Sequence, residues 1–134
     1  SGFGAGMIHA AAQGLKYECF VRPDVKIPFM VMPDAVHAII NLAQTPASNL
    51  TQRVYNVTSF SFSAEDFKEL ALEGFPEAKI EFNPDPQRQA IVDSWPADVN
   101  DQAARNDWGW DPKFGIDKSC HEYLLKNITE KYNS

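Results

Sequence analysis

Helix breakers set the scale of every element in this chain. Nine prolines and seven glycines are spread over 134 residues, and each run between them is short. Proline lacks a backbone donor and fixes φ, so it stops helices and is confined to strand edges. The runs alternate between helical and strand character. Residues 7–14 read as a helix closed by Gly14, and 17–21 as a strand followed by a turn at Arg22-Pro23-Asp24. Ile27, Phe29 and Val31 alternate on one face of an edge strand containing Pro28. Asp34, after Pro33, is placed to cap a helix whose buried stripe is Val36, Ile39, Ile40 and Ala43, and Thr45-Pro46 ends it. Residues 53–58, with Val54 and Tyr55, give the clearest strand.

Ser63, with Asp66 three residues on, predicts a capping box before a helix with Phe67, Leu70 and Ala71 inside and Gly74 and Pro76 at its end. A strand is expected over 79–82 and an irregular Pro-rich stretch over 83–96, a length of loop that is often functional. A short helix follows over 101–108, with Asp101 and Arg105 paired and Gly109 closing it. Asp117 is then expected to cap a last helix with the stripe Cys120, Leu124 and Ile128. Several short strands alternating with about five helices define a mixed α/β class. Residues 1–6 are Gly-rich and read as loop or cloning-derived, leaving 7–134 as one domain.

Charge and cysteine usage narrow the partners. The formal net charge is −6, the wrong sign for a nucleic-acid binder. No apolar run has the length of a membrane span and no leader pattern is present. Cys19 and Cys120 are far apart with no framework spacing, which fits two buried thiols in a reducing, cytoplasmic setting.

Complete catalytic and cofactor sites are not found, and neither is a metal site. Gly2, Gly4 and Gly6 suggest a phosphate-cradling loop, but the third small residue of the dinucleotide fingerprint falls on Met7 or His9, and no strand precedes. His121-Glu122 lacks the second histidine of a zinc helix. A Tyr-x-x-x-Lys pair, in which the lysine charge lowers the phenol pKa, is missing: Tyr17, Tyr55 and Tyr123 are followed at the fourth place by Val21, Ser59 and Asn127.

One run is distinctive. Gln87-Arg88-Gln89-Ala90-Ile91-Val92-Asp93-Ser94-Trp95-Pro96, followed by Trp108-Gly109-Trp110, closely resembles the C-terminal part of the short-chain-type L-threonine 3-dehydrogenases. These are extended short-chain dehydrogenase/reductases related to nucleotide-sugar epimerases and dehydratases. Residues 26–34, 53–57 and 60–63 also look like the family, so the likeness covers nearly the whole chain.

The resemblance implies the substrate-binding portion of an NAD-dependent enzyme that oxidises threonine to 2-amino-3-oxobutanoate. The Rossmann domain, with the glycine loop, the Tyr-x-x-x-Lys pair and NAD, is then missing, and the chain is not catalytic alone. The family's Gly-Gly-Gly-Thr-Thr-Asp-Tyr-like substrate loop aligns with Ser1-Gly2-Phe3-Gly4, which departs from it.

The resemblance points to Trp95, Ser94 and Arg88 as the substrate contacts. Trp95 would face an ammonium, Ser94 would donate to a carboxylate, and Arg88 would grip an anion. The competing expectations are a fragment of a nucleotide-sugar epimerase or dehydratase, with Arg88 on a pyrophosphate, and a free-standing interaction domain. Expected partners are the missing Rossmann domain and a small-molecule substrate. Surfaces made for that domain would be exposed and could drive homo-oligomer formation, for example through the edge at 53–58.

Overall fold

The computed structural model describes residues 2–134. Its first helix, α1 (Phe3–Ala12), begins four residues before the expected start at Met7. Ser1 lies outside the described residues, but Phe3 is a core residue rather than loop. Its ring meets Phe20, Phe29 and Phe67 edge-on, with centroids 6.2, 6.4 and 6.3 Å away. Edge-to-face pairs of this kind add about 0.5–1.5 kcal/mol each beyond burial, enough to hold a first turn of small residues in place. Gly14, at φ +69°, reverses the chain after the helix.

Two small sheets flank this helix. Strand β1 (Tyr17–Cys19) runs parallel to β4 (Ile80–Phe82), with Tyr17 opposite Ile80. Strand β2 (Lys26–Phe29) runs antiparallel to β3 (Phe60–Ser63), with Ile27 opposite Phe62 and Phe29 opposite Phe60. Pro28 is tolerated because β2 has a single neighbour.

The strand expected over 53–58 does not form. That segment is held by side chains instead. The Tyr55 hydroxyl donates to Asp107 Oδ2 at 2.6 Å and accepts from the Thr51 amide at 3.1 Å. The pairing goes to the Phe60/Phe62 alternation next along the chain.

Ser63 ends β3 and caps α3 (Ala64–Gly74) through a reciprocal box. Asp66 N–H donates to Ser63 Oγ at 3.0 Å, and Ser63 N–H donates to the Asp66 carboxylate at 2.8 Å. Helix α3 packs on α1 where Gly4 leaves room: a Cβ there would lie 2.7 Å from the Phe67 ring. The main core, with Met7, Ile8, Phe67 and Leu70 at its centre, fills the space between α1, α3 and the sheets.

Helix α2 (Met32–Gln44) overturns two expectations. Asp34 does not cap it, because the helix starts at Met32. The side chain is instead 1 % exposed and reaches across to a distant loop. The stripe of Val36, Ile39, Ile40 and Ala43 faces outward, and Ala38 is on the buried side.

A fourth helix, α4 (Pro86–Asp93), occupies the stretch expected to be irregular. Asp85 caps it, accepting from Gln87 N–H at 2.9 Å and Arg88 N–H at 3.0 Å, and Pro86 takes the first helical position, where its missing donor costs nothing. Helix α5 (Gln102–Trp108) ends at Gly109, φ +68°, and carries the Arg105–Asp101 pair at 2.8 Å. Trp110 is buried beyond it and donates from its indole N–H to Thr58 O at 3.1 Å.

The last helix is π-wound over Lys118–Leu125 and continues as α6 (Lys126–Asn133). Its inward stripe holds Cys120 and Ile128, as expected. Asp117 does not cap it but lies 3.6 Å from His121 Nδ1. Cys19 and Cys120 are buried and unbonded, and burial pushes the Cys120 thiol up to about 11. Among the described residues no helix is long and apolar enough to cross a membrane.

Candidate functional site

A cleft of about 320 Å³ opens between the start of α1, the turn after β1 and α4. Gly2, Phe3, Phe20, Ile27, Arg88, Ile91, Val92 and Trp95 line it. The position of α4 determines its shape. After β1 and β4 pair, the chain ends stay together: Asn83 N–H donates to Cys19 O and Asp85 N–H to Phe20 O, both at 2.9 Å. Asp85 then starts α4 beside Phe20.

Two residues of α4 lock it there. Gln89, nearly buried, accepts the Arg22 amide at 2.7 Å and donates to Asp93 Oδ1 at 2.7 Å. Asp93 in turn takes the Arg22 guanidinium with two bonds of 3.1 Å. Those bonds hold the Asp93 carboxyl below the usual carboxylate range, with the Gln89 amide assisting. Gln89 and Asp93 are thus positioning groups that the sequence reading did not separate from the rest of the motif. Their i,i+4 spacing was the available signal.

With Asp85 used as a cap and Asp93 paired to Arg22, Arg88 has no carboxylate partner among the described residues. Its guanidinium carbon lies 3.3 Å from the centroid of the Phe20 ring. A guanidinium stacked on a ring keeps its edge donors free, in a plane suited to a carboxylate or phosphate. The role of Phe20 as this platform had no sequence signal.

Trp95 is 51 % exposed at the same cleft, so it is not a core plug. Ser94 is adjacent in sequence, but its hydroxyl donates to Ile91 O at 2.6 Å, and the residue is outside the cleft lining. The structure brings Arg88 and Trp95 together and directs Ser94 to the end of α4.

A dinucleotide does not fit the glycines. Gly4 and Gly6 are inside α1, where a Cβ would meet Phe67 at 2.7 Å and Tyr17 Oη at 3.1 Å. They serve the packing of α1. No group of three His, Cys, Asp or Glu side chains among the described residues is arranged to hold a metal ion.

No protein-family model matches the chain. Individual proteins do. The mitochondrial L-threonine 3-dehydrogenase of Bos taurus is 37% identical over 110 residues, which is 82% of this chain and 30% of that protein. An uncharacterised epimerase/dehydratase of Staphylococcus aureus is 35% identical over 116 residues, 86% of this chain and 36% of that protein. The GalE-like L-threonine dehydrogenase of Cupriavidus necator, in its holo form, superposes with a TM-score of 0.84 at 34% identity, covering 95% of this chain and 40% of that one.

The fold and sequence place the chain with the C-terminal part of the extended short-chain, GalE-like dehydrogenases and epimerase/dehydratases. Within that class, relatives at 34–37% identity include L-threonine 3-dehydrogenases. The chain spans about 30% of the length of the bovine relative and 40% of the solved one.

Proposed function

We propose that this chain is the substrate-side wall of an L-threonine 3-dehydrogenase whose reactive centre lies outside the sequence. The observation that supports it most is Arg88, free of carboxylates and stacked on Phe20 beside Trp95, in a chain homologous to threonine dehydrogenases. The amino-acid carboxylate meets the Arg88 guanidinium edge. The Trp95 ring covers the ammonium, a contact worth about 0.5–2 kcal/mol. Ile91 and Val92 present apolar surface to the substrate methyl group and keep water out. NAD, bound by residues outside this sequence, would supply the hydride acceptor for oxidation of threonine to 2-amino-3-oxobutanoate, with the hydroxyl proton leaving to a base also outside this sequence. No residue of this chain takes part in that transfer.

A nucleotide-sugar enzyme is the second reading, favoured by the epimerase/dehydratase relatives. Arg88 would then hold a pyrophosphate. To separate the readings, the chain is spliced in place of the matching C-terminal part of the Cupriavidus necator enzyme and assayed. Threonine-dependent NADH formation is expected. Turnover of UDP-sugars with none of threonine would reject the proposal.

A further inference from the structure

Helix α4 walls the cleft and is barely packed on the body. Across the described residues 83–98, Gln89 and Val92 alone are buried. Ile91 and Trp95, 57% and 51% exposed, line the cleft and fill no core. Local stability follows the apolar contacts that a segment buries, and one valine is little to hold a helix.

What holds α4 is polar and converges on one residue of the turn after β1. The Arg22 amide donates to Gln89 Oε1 at 2.7 Å, and its guanidinium bonds both Asp93 oxygens at 3.1 Å. Gln89 donates to Asp93 Oδ1 at 2.7 Å and closes the ring of bonds. Arg22 is itself fixed, because Val21 and Val25 on either side belong to the main core. The charged part of this clasp is wet: the Arg22 and Asp93 side chains are 46% and 44% exposed. Water competes for such a pair, so it holds weakly.

The two ends of α4 differ. Its start is tied by backbone bonds from Asn83 to Cys19 and from Asp85 to Phe20. Its far end runs through exposed residues 93–98 to the bond between Ser61 Oγ and Asp98 Oδ1 at 3.1 Å. A helix fixed at one end, free at the other and clasped between them is a lid.

We propose that Arg22 is a positioning residue and that α4 is a lid that swings on Asp85 when the Arg22 clasp opens. With the clasp closed, Arg88 lies on Phe20 beside Trp95 and the anion site is formed. With it open, Arg88 and Trp95 leave Phe20 and the site is lost. A ligand gripping Arg88 binds the closed form alone and shifts the lid toward it. That the ligand is threonine rests on the functional reading above; the lid does not.

Amide hydrogen exchange on the chain itself tests this. The Arg22 amide is the reporter, since its acceptor is a side chain of α4. The amides of Arg22, Ala90, Ile91 and Val92 should share one opening equilibrium, about tenfold or more easier than that of Met7, Ile8 and Leu70. Asn83 and Asp85 should stay protected at the hinge. Arg22→Ala should speed exchange in α4 about tenfold and leave Met7, Ile8 and Leu70 unchanged, with Arg22→Lys in between because it loses the two-bond fork. Exchange of α4 at the core rate, an Arg22 amide protected while α4 exchanges, or equal acceleration of both sets in Arg22→Ala would overturn the proposal. The pattern of the unaltered chain decides the matter even if Arg22→Ala fails to fold.

In the Cupriavidus necator splice, saturating threonine should slow α4 exchange several-fold. Arg22→Ala there should raise the KM for threonine several-fold with little change in kcat, because fewer lids are closed before binding. A fall in kcat at constant KM would remove Arg22 from the positioning role. A lid that opens as described and is indifferent to threonine would reject the substrate reading and leave the lid standing.

Discussion

Asp34 uses both of its oxygens. Oδ1 accepts the Lys113 amide at 2.8 Å, and Oδ2 accepts the Phe114 amide at 3.1 Å and the Ser59 hydroxyl at 3.0 Å. One buried carboxylate thereby ties α2 to the loop before the last helix and to the residue preceding β3. Asp34→Ala leaves three donors without their acceptor, at about 1–3 kcal/mol per unsatisfied group before relaxation. We expect a loss of about 2–4 kcal/mol in urea unfolding, with Asp34→Asn in between. A loss below about 0.5 kcal/mol would contradict this role.

Arg88 is the opposite case, exposed and without a carboxylate partner among the described residues. Charge-assisted hydrogen bonds contribute about 1.5–3 kcal/mol, so Arg88→Ala should raise the KM for threonine in the spliced enzyme about 10-fold to 100-fold. The urea midpoint of the lone chain should not move. Arg88→Lys keeps the charge and loses the planar fork, and should recover only part of the affinity.

At the scale of elements, Gly4 joins α1 to α3. Gly4→Ala places a methyl group against the Phe67 ring, and overpacking of this kind costs about 1–3 kcal/mol. The expected result is a lower thermal midpoint with helix content retained; an unchanged midpoint would show that the ring gives way freely.

A second joint links α3 to the π-wound helix, where His121 Nε2 lies 2.7 Å from Glu73 Oε2. The bond to Glu73 raises the His121 pKa above its ordinary 6.5. A group whose folded pKa is raised contributes its stabilisation fully below the unfolded value and loses it as pH rises through the folded one. Stability should therefore fall slightly as pH climbs past about 6.5, and His121→Gln should flatten that part of the profile. An identical profile in the variant would remove His121 from the account.

How far these elements were legible follows from where their signals lie. Local signals read well: the Ser63/Asp66 box, Gly109 and the Asp101–Arg105 pair all sit within one turn of the backbone they control. Asp85-Pro86 is an equally local helix start, but the proline density of 83–96 reads as an irregular path and masks it. The segment 53–58 failed for another reason. β-propensity reports a preference for extended backbone and says nothing about whether a neighbour offers its edge, and Phe60–Ser63 takes the edge of β2. In α2 periodicity located the apolar stripe and could not say on which side the body lies.

For the cleft, the motif names Arg88 and Trp95, which line it together, whereas nothing in the motif names Phe20, brought in by the parallel pairing of β1 with β4. Ser94 is a local case: its hydroxyl bonds the carbonyl of Ile91 inside its own turn, and likeness to a motif does not report where a hydroxyl points.

The whole molecule combines a well-packed interior with two exposed apolar surfaces, the cleft walled by Arg88 and Trp95 and the outer face of α2. Gly4 and Gly6 are committed to the packing of α1 against Phe67 and Tyr17. The most direct measurement is NADH formation at 340 nm from threonine and NAD, by the purified chain alone and by the chain spliced to the Cupriavidus necator N-terminal portion. The account predicts no turnover from the chain alone and threonine-dependent turnover from the splice. Oxidation of threonine by the chain alone at an ordinary enzymatic rate would contradict it.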